Sequence, residues 1–257
     1  MSRIRLDRLL VELGHVESRQ KAQSLIINGR VLVDDVPVTK SGSQLSPTAN
    51  IRIRGEDPPY VSRGGMKLEK ALDEFPIEIQ NRVCADLGAS TGGFTDCLLQ
   101  RGAAKVFAID VGYGQLAWKL RQDPRVVVME RTNARHLDSL EDPPTLIVGD
   151  LSFISLAKIL PAIQRIAAPG ADCVVLVKPQ FEVGPEHVGK GGKVRDPVAR
   201  KAAIENIKAS AIEAGMTFHG EVESPLPGAK SGNIEHLLWL SVPDPSRDIV
   251  RTREETT

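Results

Sequence analysis

The chain has no cysteine pair at the spacing of a metal or redox motif. Cys84, Cys97 and Cys173 form no C-x-x-C, and each lies in an apolar run. Buried free thiols in a reducing compartment such as the cytoplasm follow from that usage, and no metal site is expected. No apolar run approaches the ~18 residues of a membrane-spanning helix. Arg3, Arg5, Asp7 and Arg8 interrupt any apolar core behind Met1, so no secretory leader is expected. Net charge is also lacking: 33 Lys and Arg balance 33 Asp and Glu, so only the local distribution of charge can point to a partner. Aromatic residues are scarce at 4%, and no internal repeat is found. Against these absences stand 257 residues that are 41% hydrophobic, enough for one full α/β domain and a small module.

Residues 1–57 read as the small module, an α+β unit. Leu6, Leu9, Leu10 and Leu13 recur at helical spacing before Gly14. Ser18 is placed as the N-cap of a second helix carrying Ala22, Leu25 and Ile26, closed by Asn28 and Gly29. Val31 to Val38 predicts two short strands around Asp34 and Asp35, and Ile51 to Arg54 predicts another. Over residues 1–54 nine basic side chains face five acids, which makes a phosphate-facing surface plausible. The order R-L-D-x-L-L, G, S-R-x-x-A-x-x-L-I, G-x-V-x-V resembles the RNA-binding module named after the S-four ribosomal protein. By that resemblance Arg5, Arg19, Lys21 and Lys40 are candidate RNA contacts.

Residues 58–62 read as a linker, 63–245 as the larger domain and 246–257 as a flexible tail. Asp57-Pro-Pro-Tyr60 has the form of a motif found in enzymes that methylate exocyclic amino groups. Its position close before the glycine turn, with Ile51–Arg54 already used by the small module, favours a linker. Lys67, Leu68, Ala71, Leu72 and Phe75 predict a helix whose apolar face meets a sheet. Lys67 is expected off that face, or along its edge.

The stretch from Asp86 to Asp96 organises the larger domain. It follows the apolar Val83, Cys84 and Ala85 and leads into a helix-forming segment, Phe94 to Arg101. A strand feeding a glycine-rich turn into a helix builds nucleotide sites in open α/β sheets. The glycines allow close backbone approach, and the helix offers free N–H groups. Val106 to Ile109 then ends in Asp110, placed to grip both hydroxyls of a ribose. The spacing of Gly88, Gly92 and Gly93 is not that of a dehydrogenase. The D-L-G-x-x-x-G-G-F-T turn resembles the S-adenosylmethionine site of a methyltransferase, implying cofactor contacts from Asp86, Gly88, Ala89, Ser90, Gly92, Gly93, Phe94, Asp110 and Val111.

A helix through Leu116, Ala117 and Leu120 is expected next. Val126–Met129, Leu146–Asp150 and Val174–Pro179 read as further strands, with Asn133 just past the first, Asp150 ending the second and Lys178 at the carboxyl end of the third. Asn133 is placed to touch an adenine ring, and Asp150 to share the cofactor crevice. Near-continuous apolar strands alternating with helices predict a parallel sheet, whose ligands sit beyond the strands' carboxyl ends. Residues 183–196 predict either a flap over the substrate or a surface loop. Pro197 to Ala214 predicts an amphipathic helix, and Phe218–Ser224 and Leu237–Val242 predict two closing strands. The fold class is therefore a Rossmann-like α/β domain with a seven-stranded, mostly parallel sheet, preceded by the small α+β domain.

Lys67, Asp150, Lys178 and Glu235 are far apart in sequence, and each alone reads as a surface charge. Beside a methyl-donor turn they resemble the catalytic tetrad of FtsJ-type ribose 2′-O-methyltransferases. With the N-terminal module, and with S-R-G-G-M-K-L, G-D-L-S-F-I-S, V-K-P-Q-F-E and G-N-I-E-H in order, residues 3 to 242 resemble the TlyA family. Its members are described both as hemolysins and as ribosomal RNA cytidine 2′-O-methyltransferases. The resemblance implies S-adenosylmethionine as cofactor and ribosomal RNA, in ribosomal subunits, as partner. It adds Arg63 to the candidate RNA contacts and makes Lys178 a proton acceptor or a steering charge. A base-directed RNA methyltransferase, a membrane-active hemolysin and an RNA-binding protein without catalysis are the alternatives.

Overall fold

The computed structural model describes residues 3–54, 59–229 and 231–245. The expected tail, and Asp57 and Pro58 of the Asp57–Tyr60 segment, lie outside the described residues. The chain divides into two compact units, Met1–Asp57 and Pro58–Thr257.

In the first unit, β1 (Ile4–Arg5) leads into α1 (Leu6–Glu12) and α2 (Arg19–Ile27). Next come β2 (Val31–Val33), β3 (Val36–Pro37), β4 (Gln44–Leu45) and β5 (Ile51–Ile53). Strand β2 lies between β3 and β5, both antiparallel to it, while β1 pairs with β4. Asp34 and Asp35 at φ 51° and 62° form the left-handed turn that suits a two-residue hairpin. Ser18 Oγ accepts the Lys21 N–H at 3.2 Å, capping α2. Leu6, Leu9, Leu10, Leu25, Ile26 and Val31 form the core. The β1–β4 ribbon escapes sequence analysis because two residues cannot display a period.

The second unit contains α3 (Gly64–Glu74), β6 (Val83–Leu87), α4 (Gly93–Gln100), β7 (Lys105–Ile109), α5 (Trp118–Arg121) and β8 (Val126–Met129). It continues with β9 (Leu146–Gly149), α6 (Leu160–Ile166), β10 (Asp172–Val177), α7 (Pro197–Glu213), β11 (Thr217–Glu223) and β12 (His236–Ser241). The sheet order is β11-β12-β10-β9-β6-β7-β8. Five central strands are parallel, while β12 is antiparallel to β10 and β11 to β12. The seven-stranded, mostly parallel sheet expected from the apolar runs is thus present. Successive residues of each central strand enter opposite cores. Cys84 and Val106 pack with Leu68, Leu72, Phe94 and Leu98 of α3 and α4. Ala85 and Phe107 pack with Ile163 of α6 and Ile207 of α7. Burial on both faces is why these strands read as unbroken apolar runs rather than alternating ones.

Three local expectations are corrected. The helix expected through Leu116 and Ala117 is a single turn, Trp118–Arg121, because Ala117 is extended at ψ 139°. Leu116 and Leu120 instead close over Gly92, where a Cβ would lie 2.2 Å from Leu120 Cδ1. Tyr60, expected in the linker, is buried in the core and donates its hydroxyl to Glu69 at 2.8 Å. Lys67, expected off the packed face of α3, is buried. Helix α6 is an unanticipated element. Pro161 at its start obscures it.

Candidate active site

The strand order reverses at β6: the chain builds β7 and β8 on one side, then crosses back to place β9 and β10 on the other. Such a switch point opens a crevice beyond the carboxyl ends of the strands. A cavity of about 300 Å³ lies there, bordered by Arg63, Lys67, Asp86, Asp150, Lys178 and, from the glycine turn, Gly88, Ala89, Ser90, Thr91, Gly93 and Phe94. Because β12 runs antiparallel to β10, Val177 pairs with His236. The register thereby delivers Glu235 to the end of the sheet that carries Lys178.

The four side chains of the expected tetrad form two ion pairs. Lys178 Nζ lies 2.5 Å from Asp150 Oδ1 and donates to Ser152 Oγ at 2.8 Å. Lys67 Nζ lies 2.5 Å from Glu235 Oε2, with side chains only 9% and 2% exposed. Lys67, Asp150 and Lys178 border the crevice, whereas Glu235 stands behind Lys67 rather than on the cavity wall. Ser152 was not among the expected site residues; its place in G-D-L-S-F was the available signal. Phe153 follows it with φ 65° and 85% exposure, packed against Phe181 at 5.3 Å between ring centroids.

In the glycine turn, Gly88 has φ 85° and an added Cβ would lie 2.9 Å from the Asp150 carbonyl oxygen. Gly93 faces α3, where a Cβ would meet Ser62 Oγ at 2.3 Å. Ala89 and Phe94 are buried and Ser90 is exposed. Asp86 is buried, and its Oδ2 accepts from the Thr95 N–H (2.9 Å) and Oγ1 (2.7 Å), satisfying an N–H that α4 leaves free. Its Oδ1 has no hydrogen-bond partner among the described residues. Burial pushes the Asp86 carboxyl up to about 7; Asp150 and Asp110 add to the rise, and the Thr95 bonds oppose it. Between pH ~4 and ~7 the folded protein therefore holds a proton that the unfolded chain releases. Stability of the ligand-free protein is expected to fall as pH rises across that window. Asp86→Asn should flatten that part of the profile in denaturant titrations at stepped pH; an unchanged profile would contradict it.

Asp110, Val111 and Asn133 are not among the residues that line the cavity, although Asp110 touches the lining residue Ser90. Asp110 Oδ2 accepts from Ser90 N–H (2.8 Å) and Oδ1 from Gly112 N–H (2.6 Å), so it braces the turn. Val111 is exposed. Asn133 Oδ1 accepts the Arg135 N–H at 3.1 Å, capping a short turn.

In the first unit, the fully buried Asp7 organises the expected cationic surface. Its carboxylate accepts from Arg5 Nε and Nη2 (3.0 Å each), Arg19 Nη2 (3.0 Å) and Gln23 Nε2 (2.9 Å). The bonds from Arg5 hold the Asp7 carboxyl far below the ordinary range, against the opposing effect of burial. Lys21 is half-buried, and Lys40 and Arg63 are exposed. Asp7 and Gln23 were missed as organisers because their partners are fixed only when α1 and α2 pack.

Among the described residues no helix is long and apolar enough to cross a membrane. The model of the FtsJ-like methyltransferase family matches residues 60–241, and the S4 domain matches residues 4–51. A Mycobacterium tuberculosis protein, the 16S/23S rRNA (cytidine-2'-O)-methyltransferase TlyA, is 51% identical over 241 residues, covering 93% of this chain and 90% of that protein. A solved structure from Streptococcus thermophilus, provisionally described as a hemolysin, is 41% identical with a TM-score of 0.74, covering 95% and 90% of the two chains. An S-adenosylmethionine dependent methyltransferase from Mesorhizobium loti shares the fold at a TM-score of 0.51 and 14% identity, over 67% of this chain and 96% of that one. With both domains matched in order and a relative half identical along nearly its whole length, the chain belongs to the TlyA family, FtsJ-like methyltransferases that carry an S4 domain.

Proposed function

We propose that this protein transfers a methyl group from S-adenosylmethionine to a ribose 2′-hydroxyl of ribosomal RNA, at a cytidine, in the cytoplasm. The observation that carries the proposal is the convergence of two ion pairs, Lys178–Asp150 and Lys67–Glu235, on the crevice beside the glycine turn. The activity named for the Mycobacterium tuberculosis relative supports the same reading.

Asp86, Gly88, Ala89, Ser90, Gly92, Gly93 and Phe94 are the residues that would hold the cofactor, with Asp110, Val111 and Asn133 on its flank. The unsatisfied, buried Asp86 Oδ1 suits a cationic ligand with N–H groups. When bound, S-adenosylmethionine supplies an electrophilic methyl group on a cationic sulfur. A ribose hydroxyl is a poor nucleophile, so its proton must leave as the new bond forms. Lys178 takes that proton only as the neutral amine, after its own ammonium proton has passed to solvent; Asp150 then offers the ammonium that forms its counter-charge, and Ser152 fixes its direction. Lys67, held by Glu235, orients the hydroxyl, and alignment supplies much of the acceleration. Phe153 presents an exposed ring on which a base can stack. Arg5, Arg19, Lys21, Lys40 and Arg63 are the RNA contacts, the first two set in place by Asp7.

Asp110→Ala removes a ribose acceptor and the brace on Ser90 and Gly112. A charged hydrogen-bond partner contributes about 1.5–3 kcal/mol, so cofactor affinity should fall roughly 10- to 100-fold with the fold retained. Calorimetry giving an unchanged affinity would mean that the ribose lies elsewhere.

The function is tested by transfer of labelled methyl from S-adenosylmethionine to purified ribosomal subunits, with the product mapped by its resistance to alkali. Replacing the target 2′-hydroxyl by hydrogen should abolish transfer, because the nucleophile is gone. Continued methylation of the deoxy nucleotide would establish base-directed chemistry instead.

A further inference from the structure

We propose that the hairpin at residues 189–195 is a phosphate-gripping finger that holds the RNA strand at the rim of the catalytic crevice. The proposal rests on the RNA reading above and adds a contact outside the small domain and outside the tetrad.

The sequence is compatible with either a flap or a surface loop here. In the structure Gly189 and Lys193 form an antiparallel bridge, the Gly189 N–H donating to the Lys193 carbonyl at 2.9 Å. Gly191 and Gly192, both at φ 76°, make the tight tip. The base of the hairpin is fastened by one buried side chain, Asn233. Its Oδ1 accepts the Val194 N–H at 2.9 Å, and its Nδ2 donates to the Gly192 carbonyl and to Gln180 Oε1, both at 2.8 Å. Val194 is itself buried, and Arg200 Nη1 donates to the carbonyls of Val194 (3.3 Å) and Arg195 (3.1 Å).

Those anchors belong to the segments that build the active site. Asn233 is two residues from Glu235, Gln180 two residues from Lys178, and Ala229 of the same turn as Asn233 borders the crevice. The finger is therefore registered to the tetrad through hydrogen bonds to side chains.

Its charges are left available. Lys190, Lys193 and Arg195 are exposed, and none is paired with a carboxylate among the described residues. Lys70, Lys105, Lys119 and Lys208 of the same unit have acid partners, whereas the exposed Lys158 and Lys201 have none among the described residues, so it is the pre-formed, glycine-tipped backbone that sets the three hairpin cations apart. The neighbouring acids are occupied: Glu186 lies against His187, and Asp196 accepts the Val198 N–H that starts α7. Three free cations on a pre-formed backbone lose little entropy when they meet an anion. Repeating negative charge beside a ribose hydroxyl is the chemistry of an RNA backbone. Such contacts set register and orientation without reading sequence.

The test compares the full-length protein with a Lys190→Gln/Lys193→Gln variant, using protein-free ribosomal RNA as the probe. Binding is measured across a salt series, and methyl transfer across RNA concentrations. Each lost phosphate contact lowers the slope of log affinity against log salt by about one, so the double variant should lose about two. The KM for RNA should rise roughly tenfold or more at physiological salt, with cofactor affinity and the rate at saturating RNA unchanged. Lys70→Gln, which removes a lysine already paired with Glu74, should leave the slope intact. An unchanged slope and KM in a double variant, beside a wild type that binds and transfers, would overturn the finger and leave the function standing. A defect seen with assembled subunits but not with protein-free RNA would assign the finger to a ribosomal protein and equally overturn it. A wild type with neither salt-dependent binding nor transfer, on protein-free RNA and on assembled subunits alike, would remove both readings.

Discussion

Replacing Lys178 by alanine is expected to slow methyl transfer to ribosomal RNA by about 10²–10⁴-fold, the usual contribution of a positioned proton acceptor. Lys178 stands just past β10, with its amine between Asp150 and Ser152 rather than in either hydrophobic core. The fold, RNA binding and cofactor binding should therefore survive the change, and the loss should fall on the rate at saturation rather than on KM. Lys178→Arg should be no better than alanine. It keeps the positive charge and most of the length, but a guanidinium stays protonated and cannot accept the proton. Single-turnover transfer of labelled methyl separates the two roles. Substantial activity in the arginine variant would remove the proton-acceptor role and leave Lys178 as a steering charge.

The second large effect concerns stability and activity together. Glu235→Leu should leave the Lys67 ammonium buried without its partner, because the pair is almost entirely shielded from water. Breaking a buried pair from one side costs about 3–5 kcal/mol. For a unit of this size that corresponds to a melting temperature lower by roughly 6–20 °C. Removing both charges, as Lys67→Met with Glu235→Leu, should restore most of the lost stability, since apolar side chains of similar volume fill the same space. Activity should remain absent in the double variant, because nothing then orients the hydroxyl. Calorimetry and methyl transfer on the same samples give the answer. A double variant that is both stable and active would reduce the pair to scaffolding, and a Glu235→Leu protein that melts like the wild type would show that the carboxylate does not hold Lys67.

Much of the architecture was legible in the sequence because it is written locally. A strand buried on both faces must be apolar at every position, so Leu146–Gly149 and Val174–Val177 announce themselves. The glycine turn is equally plain, since Gly88 and Gly92 occupy conformations that side chains resist. Acids and a lysine at strand ends, Asp110, Asp150 and Lys178, followed from the rule that ligands lie beyond the carboxyl edge. Two elements were not legible: the two-residue strands of the β1–β4 ribbon show no period, and Pro161 obscures α6, so both are decided by the neighbours that hold them. Partnership was likewise decided only by the tertiary structure. Lys67 looks like a solvated charge on its helix, and it becomes a buried one because antiparallel β12 carries Glu235 to it from 168 residues away. Asp7 and Asn233 are ordinary polar residues in sequence. One gathers Arg5 and Arg19, and the other fastens the 189–195 hairpin, only once packing has excluded water. Residue types and strand ends are local properties, whereas the choice of partner for a buried charge or amide depends on which distant segment closes over it.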